Sequence, residues 1–92
     1  MIEITIEEGR IRAKGHAGDA AGCAAVSAVL YALAGGLENI CTPAWRIDSG
    51  DAEITVSDES REARAMLLMA EVGLLQLAAA REDIRVENRR PP

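Results

Sequence analysis

Ile2-Glu3-Ile4-Thr5-Ile6-Glu7-Glu8-Gly9-Arg10-Ile11-Arg12-Ala13-Lys14 alternates apolar and polar residues on both sides of a Glu-Gly turn signal. The period of two puts Ile2, Ile4 and Ile6 on one face of a strand, with Glu3, Thr5 and Glu7 on the other. Past the turn the pattern resumes, with Ile11 and Ala13 inward. The outward residues are acidic on the first strand and basic on the second, so opposed charges support an antiparallel hairpin. A sheet that is apolar on one side only needs a second layer over that side.

Outward from the hairpin, residues 23–39 change to helical spacing. Ala25, Val26, Val29, Leu30, Leu33 and Leu37 make a wide apolar stripe. Gly35-Gly36 is costly inside a helix and predicts close packing there or an early end. Trp45 to Ser49 and Ala52 to Ser57 read as a second hairpin around Gly50-Asp51, with Ile47, Ile54 and Val56 inward. Asp58-Glu59-Ser60 offers caps for a helix running to about Ala80. Ala63, Met66, Leu67, Ala70, Leu74 and Leu77 form its stripe, and Ile84 to Glu87 is a last short strand. The order ββαββαβ predicts an α+β fold, a two-layer sandwich of mostly antiparallel sheet with two helices on one face. Residues 1–92 make one domain.

The formal net charge is -5 and the sequence pI about 4.8. That balance argues against direct capture of nucleic acid or of an anionic membrane. The N-terminus has a strand pattern, unlike a signal peptide. The apolar run from Cys23 to Leu37 reads as too short and too rich in Ala and Gly to span a bilayer. Cys23 and Cys41, if on or beside one helix, are separated by ~27 Å, which forbids a disulfide within the chain. A reduced, cytoplasmic setting is expected.

Chemistry concentrates in Gly15-His16-Ala17-Gly18-Asp19-Ala20-Ala21-Gly22-Cys23, which holds the only histidine and one of two cysteines. A thiol at the mouth of a helix lies at the positive end of the macrodipole, which favours a thiolate. An imidazole within reach could take a proton and return it. The glycines between the two allow a tight reversal, and the pair meets only if the loop folds back. Backbone N–H groups around Gly22-Cys23 are candidates for an oxyanion site. Ser27 lies one turn beyond Cys23 on the same face, placed either to bond near the sulfur or to bond back to its own helix. Asp19 reads as a helix cap or a solvated residue, and Cys41 as a packed one. One His and two distant Cys give no metal-ligand spacing, and no glycine loop cradles a phosphate, so neither metal nor cofactor is expected.

At Gly15-His16-Ala17 and Cys23-Ala24-Ala25-Val26-Ser27-Ala28 the sequence resembles the ribosomal-processing cysteine proteases of the Prp family, and the element order agrees over nearly the whole chain. The resemblance implies a catalytic His16–Cys23 dyad, with Ser27, Gly15 and Gly22 in support. It implies a homodimer that removes the N-terminal extension of a bacterial large-subunit ribosomal protein, with that peptide as substrate. The sequence departs from the family in a shorter loop between His and Cys, with Ala20 three residues before Cys23 and the aspartate one residue earlier, at Asp19. The short loop gives the resemblance a second implication: a non-catalytic, dimeric, ribosome-associated binding module on the same fold.

Overall fold

The alternating N-terminus forms β1 (Ile2–Glu7) and β2 (Arg10–Gly15) in the computed structural model, which describes all residues from Met1 to Pro92. There follow α1 (Ala20–Glu38), β3 (Ala44–Asp48), β4 (Asp51–Thr55), α2 (Arg61–Ala80) and β5 (Ile84–Asn88). The five strands make one sheet in the order β3-β4-β2-β1-β5. β5 runs parallel to β1, and every other pairing is antiparallel.

The register of the first hairpin follows its charges. Glu3 faces Lys14, Glu7 faces Arg10, and on the other side Ile6 faces Ile11. Arg10 bridges Glu7 at 2.9 Å and Glu53 of β4 at 3.2 Å, so the uncovered face is laced with ion pairs. The covered face supplies Ile4 and Ile54, which pack with Leu37 of α1 and Leu74 of α2 in the most deeply buried part of the core.

Two expectations about α1 need correcting. It starts at Ala20, because Asp19 caps it by accepting from the Gly22 N–H at 2.9 Å; Cys23 therefore sits in the first turn and does not open the helix. It also extends past both ends of the Cys23–Leu37 run to 19 residues, and this whole helix, like the 20 residues of α2, is long and apolar enough to cross a membrane by length and composition alone. What occupies the helix here is the sheet, against which it buries Val26, Leu30, Leu33 and Leu37. Gly35-Gly36 does not end it. A Cβ on Gly36 would lie 3.4 Å from Met66 Sδ, so this glycine marks the close approach of α2.

Ser60 caps α2, accepting from the Ala63 N–H at 3.2 Å. Glu71, on the stripe side of this helix, is buried and accepts from Arg90 at 2.6 Å. The Arg89-Arg90 segment is thus tied back onto the domain through a pair the stripe pattern does not show.

Candidate active site

The end of β2 decides where the imidazole goes. Gly15 has φ +100, and a Cβ there would run into the Met1 carbonyl oxygen. Its N–H donates to the Gly50 carbonyl at 3.0 Å, stitching the strand end to the β3–β4 turn. His16 therefore leaves the sheet directly over that turn. Gly50, at φ +77, has no side chain to block it: a Cβ there would lie 2.6 Å from His16 Nε2. The imidazole rests on a glycine.

From His16 the chain reverses at once. The Ala17 N–H donates to Cys23 Sγ at 3.3 Å, so the peptide unit that joins His16 to Ala17 touches the sulfur. His16 is exposed and Cys23 half-buried, and both line one cleft of about 160 Å³ between the first two turns of α1 and the β3–β4 turn. Gly15 and Ser27 line it too, with Ile47, Asp48 and Asp51 opposite. The loop folds back far enough to lay the Ala17 amide on the sulfur and to set His16 on the same cleft.

A second set of contacts holds the loop from behind. Asp83, just before β5, accepts from the Gly18 N–H at 2.7 Å. Arg81, at the C-terminal end of α2, donates to both oxygens of Asp83, each at 2.9 Å, and to Asp19 Oδ1 at 2.7 Å. The Arg81 guanidinium and the Gly18 amide hold the Asp83 carboxyl well below the usual carboxylate range, and Asp83 and Asp19 raise the guanidinium in return. Asp19 is lowered by the Gly22 amide and by Arg81. Asp19 is thus a cap, as its position suggested, and also an anchor for Arg81.

Gly22 supports the site by being small. A Cβ on it would come within 2.5 Å of the Ala17 Cβ and 2.9 Å of Arg81 Nη2, so only glycine lets loop and guanidinium lie against this turn. Its amide is already given to Asp19, which corrects the expectation that Gly22 offers a free N–H to an oxyanion.

Sequence reasoning missed the acceptor side of the cleft, Asp48 to Asp51, and the Arg81–Asp83 pair. Gly50-Asp51 read only as a turn signal, and nothing local marks a residue 65 positions from the amide it binds. Cys41 lies apart, packed beside the core, with its thiol pushed up by burial and by the charge of Asp58.

A half-buried thiol in a first helical turn, with the only imidazole of the chain on the same cleft, is the layout of a cysteine peptidase domain. The family model for cysteine protease Prp matches residues 1–84, and the chain belongs to that family. No curated protein matches it. Among solved structures it is similar to the essential ribosomal processing protease Prp from S. aureus in complex with a covalently linked product peptide. That likeness has 24% identity and a TM-score of 0.85, over 97% of this chain and 100% of that one. The same S. aureus protease in complex with a substrate peptide gives 19% identity and a TM-score of 0.74, over 98% of this chain and 97% of that one. A Streptococcus mutans protein gives 22% and 0.70, over 97% of this chain and 90% of that one. At these identities the likeness speaks for the fold, which is the two-layer α+β sandwich described above.

Proposed function

We propose that this chain is a cysteine endopeptidase that removes the N-terminal extension of a bacterial large-subunit ribosomal protein through Cys23 and His16. The observation that carries the reading is the hydrogen bond from the Ala17 amide to Cys23 Sγ, made by the residue next to His16, on a cleft that both side chains line. A donor aimed at sulfur, together with the positive end of α1, stabilises negative charge there.

In the proposed cycle His16 takes the Cys23 proton, and the sulfur attacks the scissile carbonyl to give a tetrahedral oxyanion. The oxyanion collapses to a thioester as the C–N bond breaks, and His16 returns its proton to the departing amine. Water then attacks the thioester with His16 again as base, releasing the acid and restoring the thiol. Ser27, on the cleft wall one turn along from Cys23, supports the site in this reading by hydrogen bonding near the sulfur. The S. aureus structures hold a substrate and a product peptide, which supports a peptide for this cleft as well.

The competing reading, a non-catalytic binding module, drew on the short His–Cys loop. The loop's direct contact with the sulfur favours the catalytic reading. Two free thiols suit a reducing, cytoplasmic setting. For the proposed homodimer the outer face of α2 offers Leu68, Met69, Val72 and Leu75, all exposed.

The test is incubation of the extended ribosomal protein with the wild-type chain, Cys23→Ala and His16→Ala. A new N-terminus made by the wild type alone supports the proposal. Cleavage by Cys23→Ala, or no cleavage by any of the three, defeats it.

A further inference from the structure

Ala17 and Gly18 donate their consecutive amides in two different directions. Ala17 reaches the Cys23 sulfur at 3.3 Å, and Gly18 reaches Asp83 Oδ2 at 2.7 Å. Two adjacent peptide planes with fixed partners leave this stretch of backbone little freedom. Asp83 is itself held by two bonds from Arg81, whose guanidinium also takes Asp19, the cap of the helix that carries Cys23. One guanidinium therefore joins the loop and the first turn of α1 to the α2–β5 connection. None of Arg81, Asp83 and Asp19 lines the cleft.

We propose that Arg81 and Asp83 are positioning residues for the nucleophile: they hold the loop after His16 so that the Ala17 amide stays on Cys23 Sγ. The proposal rests on the reading of Cys23 as nucleophile, but its consequence at the sulfur can be measured without any substrate. A planar fork is needed, because Arg81 must address two carboxylates at once. Gly22 provides the space, since a Cβ there would meet the guanidinium carbon at 3.0 Å. The short loop, which sets this chain apart from the family pattern, is thus fastened from outside.

The experiment follows alkylation of Cys23 by iodoacetamide, resolved by peptide mapping, in wild type, Arg81→Met, Arg81→Lys and Asp83→Asn. A hydrogen bond to a charged group is worth about 1.5–3 kcal/mol, which corresponds to roughly tenfold or more. At pH 6 Arg81→Met and Asp83→Asn, having lost the fixed amide donor on the sulfur, are expected to react about tenfold more slowly than wild type, with Arg81→Lys in between. At pH 10 a thiol is ionised without help, and all four are expected to agree within about twofold. Cys41, measured in the same digests, should keep its rate. Equal rates at pH 6, or the same change at both pH values, would overturn the proposal, because a merely loosened loop alters access at every pH. A parallel assay on the extended ribosomal protein should show kcat falling about tenfold with KM unchanged, the clamp lying outside the cleft. A wild type that alkylates as described yet cleaves nothing would count against the proteolytic reading and leave the clamp standing.

Discussion

Gly50→Ala should separate the stability of this domain from its chemistry. Gly50 has φ +77, a conformation that costs an L-residue about 1–2 kcal/mol. For a domain of this size each kcal/mol lowers Tm by about 4–8 °C. The added Cβ would lie 2.6 Å from His16 Nε2, against about 3.5 Å for an ordinary contact. The gap closes when the imidazole, a free-ended side chain, moves by about 1 Å, and a misplacement of that size can cost about 100-fold in rate. The control is Gly9→Ala, at φ +66 in the other tight turn, whose Cβ would meet the Val56 carbonyl oxygen at 2.6 Å. That atom is backbone and lies far from the cleft, so Gly9→Ala should lose at least as much stability and keep its kcat. The assay is cleavage of the extended ribosomal protein well below both Tm values, with thermal unfolding measured on the same samples. If Gly50→Ala keeps kcat within about threefold of Gly9→Ala, the seat of the imidazole on Gly50 is not what places it, and the reasoning fails.

Gly22→Ala would ordinarily stabilise a helix by about 1 kcal/mol; here the clash with Ala17 and Arg81 should instead destabilise by about 1–3 kcal/mol in urea unfolding, and a stabilised variant would contradict the packing described. Leu74→Ala, at a fully buried position, should lose about 2–5 kcal/mol, whereas a loss below 1 kcal/mol would mean that α2 does not pack as described. Asp83 is held well below the usual carboxylate range, so its contribution is complete at pH 7 and is lost as pH falls below about 4 toward the lowered value. The urea midpoints of wild type and Asp83→Asn should therefore differ most at pH 7 and draw steadily closer as pH falls below about 4; a constant difference would refute the pairing. Cys41→Ala should cleave at the wild-type rate, since that thiol is raised by burial and lies off the cleft; a tenfold loss would show that the wrong cysteine was chosen.

The sheet was legible because its residues obey a period of two: Ile2, Ile4, Ile6, Ile11 and Ile54 all face inward where the alternation put them. The start of α1 was less so. Ala20-Ala21-Gly22 carries no apolar stripe, and only the Asp19 cap announces the extra turn, which shifts Cys23 from the first helical position to the fourth. That His16 and Cys23 belong to one site could be suspected from motif and spacing. That the loop would turn back to bring both onto one cleft could not be deduced, because a loop rich in glycine has many courses, and this one is held by Asp83 and Arg81 from the far end of the chain. Glu71 shows the same limit on a smaller scale, since a carboxylate within an apolar stripe is tolerable only once Arg90 reaches it at 2.6 Å.

Whether Cys23 is the sulfur that opens the peptide bond can be read in one spectrum. Rapid acid quench of wild-type protein turning over the extended ribosomal protein, followed by intact-mass analysis and mapping, should find the released N-terminal segment as a thioester on Cys23 and nowhere else. Turnover with no adduct on Cys23, or an adduct on Cys41 in its place, would contradict the account at its root.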